Sequence, residues 1–191
     1  YVDPLVPGIF DKIQEFGIEH TYASFPEGRI RKETIEIGGK DAKTLIEEMR
    51  EKNITISDYA MDMLKSKYFQ ITEETEDAIL VHLKVGDLDF PKGKYPTTDE
   101  IYKRIEELGL ELCPPEVGPH YRLQYTNQPL DEWCRSGMKQ ITDRDGGPYV
   151  FVLGRDGDGL WLRAFGAKPG FEWGPGREFV FRLRKLENLQ T

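Results

Sequence analysis

Hydrophobic positions change period several times along the chain, and the changes mark out its elements. Ile9, Phe10, Ile13 and Phe16 recur at helical spacing ahead of Gly17, which predicts a short helix within residues 3–25. Residues 29–37 alternate weakly through Ile30, Thr34, Ile35 and Ile37 and stop at Gly38-Gly39, as a strand would. From Asp41 to Lys52, Ala42, Leu45, Ile46 and Met49 share one helical face, with Asp41 placed as the cap. Ser57 or Asp58 caps a second helix that carries Tyr59, Ala60, Met63 and Leu64, so the two form a helical hairpin. The methionines on this face read as core, since Met at helical spacing fills apolar gaps more often than it lines a partner groove. Thr72-Glu73-Glu74-Thr75-Glu76-Asp77 has no apolar member and reads as a solvated acidic linker.

Beyond that linker the pattern turns to strands. Ala78–Val85 is rich in β-branched and aliphatic residues and predicts a strand. Thr97-Thr98-Asp99-Glu100 opens a helix whose Ile101, Ile105 and Leu108 face inward before Gly109. Short strands are predicted at Tyr121–Tyr125, Trp133–Ile141, Tyr149–Leu153, Leu160–Arg163 and Glu178–Leu183. Turn signals separate several of them, at Asp145-Gly146-Gly147-Pro148 and Asp156-Gly157-Asp158-Gly159. The order strand, helix, then a run of strands predicts an α+β fold. Its expected parts are a small, mostly helical accessory domain at 1–75 and a β-rich binding domain at 76–191.

Composition narrows the function classes. The 191 residues are 38% hydrophobic and 31% charged, a globular balance, and no stretch nears the roughly 20 apolar residues of a membrane span. A net charge of −8 with scattered Lys and Arg leaves no basic stripe, so nucleic acid is not the expected partner. Cys113 and Cys134, too few for a disulfide framework, read as free, partly buried thiols. The sequence starts at Tyr1 without a methionine, which leaves room for a longer N-terminus or a signal peptide and assigns no compartment.

Candidate chemistry is thin. Asp143, Asp145, Asp156 and Asp158 invite a calcium reading, but no bidentate glutamate follows and Asp-Gly is common hairpin chemistry, so no metal is expected. The three histidines His20, His82 and His120 lack a Gly-x-Ser-x-Gly nucleophile and zinc spacing, and His82 lies in an apolar strand as a structural residue would. Gly154-Arg155-Asp156-Gly157-Asp158-Gly159 is followed by no helix pattern that could hold a phosphate. Neither catalysis nor a cofactor is expected. What remains is Trp161–Arg177, WLRAFGAKPGFEWGPGR, which sets aromatics and arginines among glycines and prolines. Trp161 and Trp173 read as buried anchors of a loop, as do Trp133, Phe179 and Phe181 around it. Arg163, Ala164, Phe165 and Gly170 are candidate ligand-binding residues, together with Phe171, Gly174, Gly176 and Arg177. Aromatic and guanidinium groups between small residues are what binding surfaces favour, and the expected ligand is another protein.

Leu110-Glu111-Leu112-Cys113-Pro114, Glu116-Val117-Gly118-Pro119, Arg122-Leu123-Gln124-Tyr125, Gln128-Pro129, Glu132-Trp133, Met138-Lys139, Ile141-Thr142-Asp143, Gly159-Leu160-Trp161-Leu162, Pro169, Trp173 and Phe179–Lys185 together resemble a family of uncharacterised proteins from candidate bacterial phyla. The likeness covers residues 78–185; in the N-terminal part it is confined to Ile56-Ser57-Asp58 and the helix after it. The family in turn is similar to the variable proteins of diversity-generating retroelements, in which an error-prone reverse transcriptase randomises template adenines and rewrites a short C-terminal region. The resemblance implies a C-type lectin-like fold related to formylglycine-generating enzymes, with a variable region at about 155–185. It implies a diversified, ligand-binding surface and no enzyme. The Gly-Gly-Ser-Trp signature and the calcium-binding Glu-Pro-Asn and Trp-Asn-Asp motifs of sugar-binding lectins are missing, and Lys168 and Glu172 are fixed or come from codons other than asparagine's. An enzyme or sugar-binding relative of those folds, or a plain interaction module, is the alternative.

Overall fold

Alternating aliphatic and polar residues build a mixed sheet that runs through most of the chain. The computed structural model describes residues 31–184. Its strands are β1 (Arg31–Ile37), β2 (Thr55–Ile56), β3 (Glu76–Lys84), β4 (Leu110–Glu111), β5 (Trp133–Ser136), β6 (Ile141–Thr142), β7 (Pro148–Asp156), β8 (Gly159–Gly166) and β9 (Glu178–Leu183). The order across the sheet is β1-β3-β9-β5-β7-β8-β2, with β4 added to β9 and β6 to β7. Neighbours are antiparallel except β5 with β9 and β2 with β8, which are parallel. The fold is therefore α+β, as the strand-helix-strand order predicts. Residues 3–25, where a helix is expected, lie outside the described residues.

Among the described residues four α-helices dress this sheet: α1 (Ala42–Glu51), α2 (Asp58–Leu64), α3 (Thr98–Glu107) and α4 (Val117–Gln124). Their starts follow from capping chemistry. Asp41 accepts the Thr44 N–H at 2.8 Å and Ser57 accepts that of Ala60 at 3.3 Å. Thr97 and Glu100 form a reciprocal capping box at the head of α3. Side chains alternate across β9, so Phe179 and Phe181 face one side and Val180 the other. Helix α3 covers the first side, with Tyr102 edge-on to Phe181 at 6.3 Å. Helix α4 covers the second, where Tyr121 meets His82 of β3. Among the described residues no helix is long and apolar enough to cross a membrane.

Three features depart from the pattern-based reading. Tyr121–Tyr125 is not a strand but the end of α4; every residue from Val117 to Leu123 is buried, so the helix has no polar face to show its period. Trp133–Ile141 breaks into β5 and β6: Gly137, whose missing side chain makes room for the Phe181 ring, still bonds Val180 of β9, but beyond it Met138 forms only an isolated bridge to Cys113. Strand β8 does not stop at Arg163 but runs to Gly166, in continuous antiparallel register with β7 from Gly159↔Asp156 to Gly166↔Tyr149.

The acidic run is exposed except at Glu76, as a linker would be, yet the chain on its two sides shares one sheet and one core. Strand β1 pairs with β3 along its whole length, and β2 closes the far edge on β8. Ile35, Leu45 and Met63 belong to the same apolar cluster as Leu80, Phe151 and Phe181. The two short helices α1 and α2 cannot bury their apolar faces on each other alone, and the larger sheet supplies the surface they lack. The run is itself tied down. The Thr72 hydroxyl donates to the buried Glu116 carboxylate at 2.6 Å, and Gly38, at φ 85°, sits where a Cβ would lie 2.1 Å from the Glu74 carbonyl oxygen.

Candidate functional site

The pleat puts Trp133 and Arg135 of β5, Val150, Val152 and Gly154 of β7, and Trp161, Arg163 and Phe165 of β8 on one face of the sheet. The Gly154 Cα spot is where Trp133 crosses: an added Cβ there would lie 1.9 Å from the indole Cζ3. Trp133 and Trp161, expected as buried anchors, are only half-buried. They flank the Arg163 guanidinium, which lies 4.6 Å from one ring centre and 4.1 Å from the other. Asp156 then locks the stack, accepting from Arg163 Nη2 at 3.0 Å and from Trp161 Nε1 at 2.9 Å. Arg163 is thereby part of the scaffold's surface and not a free contact group. Ala164, one position on, pairs with Phe151 and packs against the core.

The remaining candidate residues gather around Trp173. Buried to 1% exposure, Trp173 donates its indole N–H to the Thr98 hydroxyl at 2.9 Å and its backbone N–H to the Pro96 carbonyl at 2.9 Å. Phe171 lies against it at 4.7 Å, Phe165 at 5.4 Å and Phe179 at 5.0 Å. Phe165 and Phe171 meet edge-to-face at 5.8 Å and remain 36% and 41% exposed. Arg177, Gly170 and Gly176 are exposed and Gly174 half-buried in the same segment. Residues 167–177 form no strand, but they are not loose. The carbonyls of Pro169 and Phe171 accept from the first N–H groups of α3, and those of Pro175 and Arg177 accept from Gly86 and Val85. Beside Pro175 opens a cleft of about 390 Å³, lined by Phe90, Pro91, Tyr95 and Pro96 with Lys92 and Lys94 at its rim.

Beneath Phe165 and Trp173 lies a residue that periodicity alone does not single out. Arg135 is 5% exposed, its guanidinium 5.3 Å from the Phe165 ring centre and 5.5 Å from that of Trp173. Its Nε has no hydrogen-bond partner among the described residues. Burial, and next the charge of Arg177, lower its pKa to about 10. The only advance signal is a charged residue in the middle of the short stretch Trp133-Cys134-Arg135-Ser136. Arg122, fully buried in α4, shows the usual solution. Its guanidinium is surrounded by acceptors, the Gln128 side chain and the carbonyls of Tyr125, Gly154 at 3.2 Å and Trp161 at 3.4 Å.

On the opposite face a polar relay lies between α4 and β3. The Glu178 carboxylate is 2.6 Å from His82 Nδ1, and His82 Nε2 is 2.7 Å from the Tyr121 hydroxyl. Arg31 lies against the imidazole, within 3.1 Å and 3.2 Å of its nitrogens, and also reaches Glu132 at 3.3 Å. Burial works to raise the Glu178 pKa, but the His82 hydrogen bond and charge outweigh it and hold the group below the usual carboxylate value. Burial pushes the Tyr121 phenol up, so it remains a donor. The histidine is satisfied on both nitrogens, consistent with the structural role expected for it. Burial likewise pushes the Cys113 thiol up to about 12, so neither buried, unpaired cysteine offers a thiolate at neutral pH. The turn aspartates bind their own backbones, Asp143 accepting from Asp145 and Gly147 and Asp156 from Asp158. Among the described residues no group of three His, Cys, Asp or Glu side chains could hold a metal ion.

No known protein family, curated protein or solved structure matches the chain.

Proposed function

We propose that this protein is a ligand-binding protein that presents a diversified surface on a C-type lectin-like scaffold, with another protein as its ligand. The observation that carries the reading is the pair Phe165 and Phe171, exposed together on a Trp173 base that is buried and hydrogen-bonded. Apolar rings held out to solvent on a rigid support are the anchors that protein interfaces use. Gly170, Gly176 and Arg177 extend the surface, and backbone hydrogen bonds to Val85, Gly86, Pro96 and the head of α3 fix its shape before a ligand arrives, which lowers the ordering cost of binding. The mixed sheet with a helix on each face and a long tethered loop before the last strand supports the scaffold part of the reading.

The DNA flanking the gene tests the diversification. A reverse-transcriptase gene and a near-copy of codons 161–185 are expected there. Flanks with neither would leave an ordinary, invariant binding surface and remove the retroelement from this reading.

A further inference from the structure

We infer that Arg135 and Arg177 form a carboxylate-binding site beneath the exposed rings of Phe165 and Phe171, made for an acidic side chain of the partner protein next to an apolar one. The inference rests on the ligand-binding reading and names the chemistry of what it binds.

A guanidinium taken out of water keeps its charge only if other groups replace the lost solvent. Arg122 has its replacement in four oxygens of the fold. Arg135 is nearly as buried and, like Arg122, has an Nε without a partner, yet among the described residues no carboxylate forms an ion pair with it and no oxygen accepts from its terminal nitrogens. Glu178, the carboxylate whose charge acts on it, is committed to His82 on the other side of the sheet. Instead its charge faces two aromatic rings, and Arg177, two positions before the Phe179 that Arg135 pairs with, adds a second positive charge that acts on it. Cation–π attraction offsets part of this cost but supplies no acceptor for the guanidinium's N–H groups. The missing element is an oxyanion.

Two observations assign the kind. The planar guanidinium fork matches a carboxylate bidentately. Its surroundings, Phe165, Phe171 and Trp173, are apolar and partly open, so a carboxylate followed by a hydrophobic residue fits where a bare, strongly hydrated ion would not. A polynucleotide phosphate is disfavoured by the net charge of −8, which repels it over the whole surface.

Nuclear magnetic resonance of the full chain tests this, with N-acetyl-Asp-Phe-amide, N-acetyl-Asn-Phe-amide and inorganic phosphate titrated separately at constant ionic strength. The Asp peptide is expected to shift the Arg135 Nε–H and Trp173 Nε1–H signals saturably, and the Asn peptide to bind at least about tenfold more weakly. Arg135→Met should abolish the Asp preference. Arg177→Ser, an exposed change, should keep the wild-type melting temperature and weaken the Asp peptide about two- to fivefold, so the proposal stays testable if Arg135→Met does not fold. Equal affinity for the two peptides, no saturable shift, an Asp preference retained in Arg135→Met, or phosphate binding without peptide binding would each overturn it. A negative titration leaves the diversified surface to be judged from the flanking DNA, so the two readings can fail separately.

Discussion

At the scale of single residues, neighbours only a few positions apart in Trp161–Arg177 have opposite duties. Trp173 is buried and donates one hydrogen bond to Thr98 at the head of α3 and one to Pro96 just before it, whereas Phe171, two residues before Trp173, keeps 41% of its surface in water. Trp173→Ala is therefore expected to cost about 3–5 kcal/mol in urea denaturation, while Phe171→Ser should stay within about 0.5–1 kcal/mol of wild type. Equal costs would erase the distinction between support and display. Arg163 looks in sequence like another display residue, but Asp156 and two indoles claim it. That stack depends on Gly154, because a Cβ there would meet the Trp133 ring at 1.9 Å. Gly154→Ala should cost about 1–3 kcal/mol and raise the solvent exposure of Trp133, read as a red shift in fluorescence; an unchanged melt and spectrum would show that the ring can move freely.

Elements were legible where one face of them is wet. Helices α1 and α3 announce themselves through an apolar stripe and a capping residue. Helix α4 did not, since Arg122 and His120 are buried along with its apolar residues and the sequence Tyr121–Tyr125 then imitates a strand. His120 of this helix also joins it to the corner after β1, accepting the Gly38 N–H on Nε2 at 3.1 Å. That bond needs a neutral ring. Burial lowers the His120 pKa from its ordinary 6.5, with the charge of Glu116 opposing the shift. Below about pH 6.5 the unfolded chain thus takes up a proton that the folded one refuses, and stability falls as pH drops from there toward the folded pKa. His120→Gln, whose side-chain oxygen can still accept from Gly38, should lose less stability than wild type between pH 7.5 and 5.5 in urea titrations. Parallel pH dependences for the two proteins would exclude His120 as the source.

For the whole molecule the expected division at 75/76 meets a sheet that crosses it. Strand β1 joins β3, β2 joins β8, and the Thr72 hydroxyl holds the intervening run on Glu116. If the two sides share a core energetically as well as geometrically, they should unfold together. Native-state hydrogen exchange is expected to give the amides of Ile35, Leu45 and Met63 the same opening free energy as those of Leu80, Val180 and Phe181. Earlier opening of the first group, by more than about 1 kcal/mol, would show the N-terminal side unfolding as a unit of its own.

By itself, the sequence determined the α+β class, the position of most strands and helices, the turn role of the aspartates and the buried role of Trp173, because each follows from local periodicity or from side chains bonding their own backbone. Tertiary structure decided the rest. The union of both halves in one sheet, the capture of Arg163 by Asp156 and the isolation of Arg135 under Phe165 all join residues far apart or on separate strands. Whether a charge is paired depends on which strands become neighbours, and that is set by burial of the whole core, which no local pattern records.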